Sequence, residues 1–149
     1  MKNLTKEECL SLLKENYIGH LAYLNRGIPE TLPITYFFDE KNNSIISYSG
    51  EGVKIKMMRE KPQVSFQVEE IQNISEWRSV LLYGRFEELE AIDAKTKLHE
   101  FAEGVKNILR NKENIDLDYL NEFSSKVVTP ANPIVYRINI SDIKGRQRL

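Results

Sequence analysis

The sequence predicts a mainly β protein, a six-stranded and mostly antiparallel barrel with helices at its rim. Three observations carry that reading. Six runs of alternating or β-branched residues are bounded by turn chemistry, five of them come before any long helical stretch, and a short helical pattern interrupts those five. Such an order suits a closed antiparallel sheet better than alternating βα units around a parallel one. At 149 residues the chain has the size of one domain, able to bury roughly 70% of the surface its unfolded form exposes. No repeat, linker or low-complexity tract divides residues 1–149.

Taken in order, the elements justify themselves locally. Thr5 and Glu8 have capping-box spacing, and Cys9, Leu12 and Leu13 share one helical face, which predicts a helix near 5–15. IGHLAYL from Ile18 reads as a strand, Asn25-Arg26-Gly27 as a turn, and TLPITYFF as a second strand with Leu32, Ile34, Tyr36 and Phe38 on one side. DEKNN (Asp39 to Asn43) is a polar turn into the third strand, SIISYS. VKIKMMREK has helical spacing with Ile55 and Met58 inward, and Pro62 stops it. QVSFQVEE alternates Val64, Phe66 and Val68, while WRSVLLYGRFEELE is a long strand with a kink or bulge expected at Gly84. A helix near 93–111 and a second near 115–126 precede the last strand, IVYRINI, after Pro130 and Pro133.

Charge and composition narrow the function classes. Lys and Arg total 21 against 22 Asp and Glu, a formal net charge of −1, so no global basic field draws the chain to nucleic acid or to an anionic membrane. Cys9 has no second cysteine to pair with, and with His20 and His99 it writes no zinc spacing, so no metal is expected. No run approaches the roughly 18 apolar residues of a membrane span and no signal-peptide core opens the chain. The expected location is the cytoplasm.

The stretch SYSGEGVKIKMM asks whether it holds a phosphate. Gly50-Glu51-Gly52 supplies G-x-G, but Ile55 stands at the third glycine position of a dinucleotide fingerprint, and no Gly-Lys-Ser/Thr follows. What remains is a strand end, two glycines and a helix start carrying Lys54 and Lys56, with Arg59 beyond. Orphan amides and the helix dipole suit a phosphate there. The same spacing equally suits a plain glycine turn into an amphipathic helix.

The order of segments from GHLAYLNRG through LPITYFF, SIISYSGEGVKIKMM and QVSFQVEE to WRSVLLYGRFEEL resembles the FMN-binding split-barrel family typified by pyridoxamine 5′-phosphate oxidase, and is most similar to its short branch of 5-nitroimidazole resistance (nitroreductase-like) proteins. A weaker echo lies at IVYRINISDIKGR. The resemblance implies a homodimer with FMN in each of two interface clefts. By position, Pro33, Ile34, Thr35 and Tyr36 match the strand along the isoalloxazine ring. Ser47, Tyr48 and Ser49 match the strand end near the ribityl chain and phosphate. Lys54 matches the phosphate-holding lysine, and Trp77, Ser79 and Val80 match a strand that approaches the flavin, often from the partner subunit.

Two positions depart from the family pattern. Val53 stands where an arginine is common beside the lysine, leaving the phosphate to Lys54, backbone amides and Lys56 or Arg59. Tyr48 stands where nitroimidazole-type members carry a histidine, so nitroreductase activity does not carry over. Tyr48 is also the side chain singled out for contact with flavin or substrate, against the alternative of a tyrosine packed at a strand end. The chain ends soon after GRQRL, without the longer segment that pyridoxamine phosphate oxidases use at their substrate site, so that specific activity is not expected. His20 is expected to have a local partner on its strand, and His99 to face solvent.

The resemblance therefore implies an FMN-dependent oxidoreductase that passes electrons from a reduced nicotinamide or other donor, through the flavin, to a small-molecule acceptor, with no catalytic side chain assigned. Two alternatives stand beside it: a flavin-binding sensor or carrier without turnover, and a split barrel that binds haem or a deazaflavin. Asn111 to Asn132 is read as either a lid or a connector.

Overall fold

The computed structural model describes residues 1–113 and 133–149. The elements are β1 (Lys2–Asn3), α1 (Lys6–Glu15), β2 (Ile18–Asn25), β3 (Ile28–Thr35), β4 (Phe37–Asp39), β5 (Ser44–Ser49), α2 (Val53–Glu60), β6 (Gln63–Asn73), β7 (Glu76–Glu88), α3 (Ala91–Lys112) and β8 (Ile134–Arg148). The helix expected near 115–126, and nearly all of the segment read as lid or connector, lie outside the described residues.

All described strand pairs are antiparallel and form one curled sheet in the order β3-β2-β6-β7-β8-β5-β4, with β1 added to β8. Its two edges, β3 and β4, are consecutive in the chain. The single strand expected over TLPITYFF is thus two strands that hand over at Tyr36: β3 pairs with β2, and β4 pairs with β5. Alternation hides this break, because Ile34, Tyr36 and Phe38 stay buried on one side throughout. At the handover the Tyr36 amide donates to the Tyr17 carbonyl over 2.8 Å. Its hydroxyl donates to the Leu13 carbonyl over 2.7 Å.

The local chemistry explains the elements. Thr5 caps α1 in a complete capping box with Glu8, and the opposite end has side-chain partners for two of its orphan carbonyls: Leu12 accepts from Asn16 and Leu13 from Tyr36. Arg26 and Gly27 both have positive φ (54° and 83°), the requirement of a type I′ hairpin turn, which matches the twist of β2 and β3. Ile55 and Met58 are fully buried as the spacing of α2 predicts.

Two expectations about the long strands need correction. The irregularity near Gly84 lies on its partner: Tyr83 pairs with Asp142 and Gly84 with Ile140, so Ser141 is the extra residue and β8 carries the bulge. Gly84 is needed for another reason, close approach, since a Cβ there would sit 2.5 Å from Ile138 Cγ2 and 2.7 Å from the Asn139 carbonyl oxygen. The last strand also runs on past IVYRINI to Arg148. Its outer half mixes Lys144, Arg146 and Arg148 on the exposed side with Gly145 and Gln147 on the buried one, a pattern without apolar alternation to announce it.

One apolar cluster fills the barrel, with Leu12 and Leu13 of α1, Tyr36, Phe66, Leu82 and Ile138 among its members. A second lies between the outer face of β5 and α3, where Ile46 and Tyr48 meet Phe101, Val105 and Leu109. β5 is therefore buried on both faces, which its near-continuous apolar run suits. None of the described helices is long and apolar enough to cross a membrane.

Gly84→Ala is expected to lower stability by about 1–3 kcal/mol through overpacking against β8; an unchanged urea midpoint would remove the close-approach argument. Tyr36→Phe is expected to cost about 1–3 kcal/mol by leaving the Leu13 carbonyl without its donor. Equal denaturation curves for wild type and variant would show that the handover does not depend on this bond.

Candidate functional site

Where β3 and β5 diverge beside the handover, a cleft of about 230 Å³ opens. Pro33, Ile34 and Thr35 form one wall and Ser47, Tyr48 and Ser49 another; Lys54 of α2 closes the end, with Gly50 and Phe101 completing the lining. The walls are tied together, since Ser47 Oγ donates to the Thr35 carbonyl over 2.8 Å. Ser49 Oγ donates to the Gly50 carbonyl over 2.9 Å at the mouth of the glycine loop. The Tyr48 ring is held edge-on by Phe101, centroids 5.1 Å apart at 86°, and this fixes α3 against the cleft.

The end formed by α2 is electropositive. Gly52 is its N-cap and offers no side-chain acceptor, so the first amides of the helix have no cap of that kind. Burial pushes the Lys54 ammonium below the ordinary lysine range. Among the described residues no carboxylate lies within ion-pair distance of it. A partly buried cation without a partner is costly, and an anion in the cleft would relieve that cost.

Arg59 does not share this role. Its Nε donates to Glu88 over 2.7 Å and its guanidinium to Glu51 over 2.8 Å, and these two carboxylates hold it firmly protonated. Lys56 is exposed and outside the lining, and Val53 is 58% exposed on the first turn of α2. Lys54 and the helix amides are what remains at this end of the cleft.

The other sequence-derived candidates fall elsewhere. Tyr36 is fully buried, edge-on to Phe66 with centroids 5.0 Å apart, and desolvation drives its hydroxyl far above the ordinary tyrosine range. Val80 is fully buried in the barrel, because strand alternation turns it opposite to Trp77 and Ser79. Trp77 and Ser79 line a separate cleft of about 700 Å³ on the outer face of the sheet, with Gln67 donating to Ser79 Oγ over 3.0 Å. Six candidates thus meet around Lys54, and two lie in a different cleft of the same chain.

Phe101 was not legible as a site residue, since its place depends on a long-range contact between α3 and β5; Gly50 was visible as loop chemistry. His20 stands in register between Pro33 of β3 and Gln67 of β6. Its buried Nδ1 meets no hydrogen-bond partner among the described residues, contrary to the local partner expected for it. His99 is exposed. Cys9 is buried, and desolvation raises its thiol pKa. No cluster of three or more His, Cys, Asp or Glu side chains suited to a metal occurs among the described residues.

Comparison with known proteins agrees with this architecture. The chain is 34% identical over 88 residues to an uncharacterized protein of Rhizobium meliloti (strain 1021), an alignment that spans 59% of this chain and 57% of the relative's length. An FAD-binding protein of Mesorhizobium loti superposes with a TM-score of 0.77 at 28% identity, covering 99% of this chain and 96% of that one. A haem-binding protein of Mycobacterium smegmatis shares the fold at 12% identity and TM-score 0.73, over 98% of this chain and 55% of its own. So does a structure assigned to a 5-nitroimidazole antibiotic resistance protein of Bacteroides thetaiotaomicron, at 16% identity and TM-score 0.64, over 97% and 86% of the two chains. The family model for pyridoxamine 5′-phosphate oxidase matches residues 5–147. With nearly its whole length inside that match and the same curled antiparallel sheet, the chain belongs to the pyridoxamine 5′-phosphate oxidase family of split barrels.

Proposed function

We propose that the protein is an FMN-dependent oxidoreductase that works as a homodimer in the cytoplasm, its flavin taking electrons from a reduced nicotinamide or other donor and passing them to a small-molecule acceptor. The observation that carries the reading is Lys54, a partly buried ammonium with no carboxylate partner among the described residues, in a cleft beside the open N-terminus of α2. A phosphomonoester fits that environment, since the lysine supplies charge and the amides supply directed donors. The FAD-binding neighbour at 28% identity supports a flavin as the group that carries the phosphate.

The volume supports a shared site. About 230 Å³ falls below the ~300–1,000 Å³ of a complete small-ligand pocket, so one protomer offers the phosphate and ribityl end and a second surface completes the ring site. Trp77 and Ser79, half-buried in the lining of the other cleft, are the residues a two-fold partner would bring. Ile18, in register with Thr35 and 48% exposed, is apolar surface that such a partner would cover.

Within that arrangement Lys54 and the α2 amides hold the phosphate. β3 is a sheet edge, so its unpaired backbone groups around Ile34 and Thr35 can hydrogen-bond the rim of a planar ring. Tyr48 and Phe101 exclude water from the inner wall. Flavin supplies the electron exchange itself, which is why the chain needs no acid-base pair of its own. Among the described residues no Asp, Glu or His lines the cleft, an observation that equally favours the second reading, a flavin carrier without turnover. Haem is less well served, because among the described residues no His, Cys or Met lines the cleft.

The test is direct. Purified protein mixed with FMN and passed through gel filtration is expected to keep the yellow spectrum at about one flavin per chain, with light scattering at the mass of a dimer. Lys54→Ala should weaken FMN binding by about 1–3 kcal/mol, roughly 5- to 150-fold, while Arg59→Ala leaves it unchanged. A colourless eluate, or equal affinities for wild type and Lys54→Ala, would overturn the phosphate assignment. Oxidation of reduced nicotinamide nucleotide by the holoprotein separates the oxidoreductase from the carrier.

A further inference from the structure

Lys54, Lys97 and Lys106 are the half-buried lysines among the described residues. Lys97 lies 3.0 Å from both Asp39 and Glu100, and Lys106 lies 3.7 Å from Glu103, so each of these two has a carboxylate as counter-ion. Lys54 has none among the described residues, and it alone of the three stands at the end of a cleft.

The surroundings leave its amine available. Glu51, in the glycine loop before α2, is taken by Arg59 over 2.8 Å, and Arg59 also holds Glu88. β3, β5 and α3 bring only uncharged side chains to the lining. Desolvation draws the Lys54 ammonium below the ordinary lysine range, so the neutral amine, which is the nucleophile, forms at a lower pH than on an exposed lysine. Ser47 and Ser49 have each given their proton to a carbonyl, of Thr35 and Gly50. An anion's charge is answered there by Lys54 and the first amides of α2. The cleft of about 230 Å³ is too small for a complete nucleotide-sized ligand, but it admits an acetyl group joined to phosphate.

We infer that Lys54 is an acylation site whose donor is a small acyl phosphate, and that acylation turns off phosphate binding in this cleft. The amine nitrogen attacks the acyl carbon and a C–N bond forms. The bond from that carbon to the bridging oxygen breaks, and phosphate leaves with the electron pair and takes up the amine proton. No oxidant or reductant enters. The amide product is neutral, so the described lining loses its one charged side chain. A phosphomonoester seated on Lys54 covers the same amine, so ligand and acyl donor exclude one another. That this ligand is FMN rests on the function proposed above; the reactivity of the amine does not.

The probe is acetyl phosphate, incubated with the full chain alone, with inorganic phosphate or with saturating FMN, while acetylation at each lysine is followed by peptide mass spectrometry. In the protein alone, Lys54 is expected to be acetylated about tenfold faster than Lys56, its exposed neighbour on α2. Inorganic phosphate and FMN should each slow Lys54 and leave Lys56 unchanged. With p-nitrophenyl acetate, an acyl donor that lacks phosphate, the preference for Lys54 should shrink. Equal rates at Lys54 and Lys56 would overturn the site, and an undiminished preference with p-nitrophenyl acetate would overturn the acyl phosphate as its donor. Selective acetylation of Lys54 that inorganic phosphate slows and FMN does not would defeat the flavin reading and leave the acylation site standing. Equal rates in a protein whose FMN affinity still depends on Lys54 would do the reverse.

Discussion

The handover at Tyr36 is the constraint from which the rest of the structure follows. One run of chain serves as both edges of the sheet, so the barrel is joined there by covalent continuity, with the strands diverging on either side. Tyr36 fixes that point with three contacts: its amide to Tyr17, its hydroxyl to Leu13 and its ring against Phe66. Because β3 and β4 part company there, Thr35 and Ser47 face each other across a gap that one hydroxyl bridges. The cleft around Lys54 lies at this parting of the strands, with α2 seated at its open end.

Ionic interactions sort the surface in a way that composition conceals. A net charge of −1 describes a chain in which many cations are already committed. Glu70 gathers Asn16, Arg78 and Lys112 from β7 and the ends of α1 and α3; burial alone would raise its pKa, but these partners hold it below the usual carboxylate range. Lys97 reaches the buried Asp39 over 3.0 Å and so anchors α3 beside the end of β4. Exposed pairs contribute little to stability one by one. Their informative effect is subtraction, since the cations that face a cleft without a partner then stand apart.

Much of this was legible in the sequence because it is encoded locally. Thr5 and Glu8 announce α1, Arg26-Gly27 announces the hairpin, and the spacing of Ile55 and Met58 announces α2. Residues of the Lys54 cleft were legible through the order of segments, three on β5 and three on β3 placing the two walls. What was hidden depends on partners distant in sequence. Alternation runs unbroken through Tyr36, so nothing marks the handover. The bulge sits at Ser141, on the strand opposite Gly84, so the glycine that suggests an irregularity is not the residue that makes it. Phe101 reaches the cleft by way of a helix packed on β5, and Val80 misses any cleft because its neighbours Trp77 and Ser79 claim the outer face.

The length and position of β8 carry a consequence for how the protein is made. This strand, which follows α3 in chain order, pairs with β1, β5 and β7, so during translation β5 and β7 wait with open edges until the chain beyond α3 has been made. Until then the hairpins formed by β2, β3, β6 and β7 expose hydrogen-bonding edges to other nascent chains. Contacts between such distant segments slow folding, and the sheet is continuous only once β8 pairs with both β5 and β7. A substitution that weakens β8 would therefore show itself first in the yield of soluble protein, before it registered in the stability of molecules already folded.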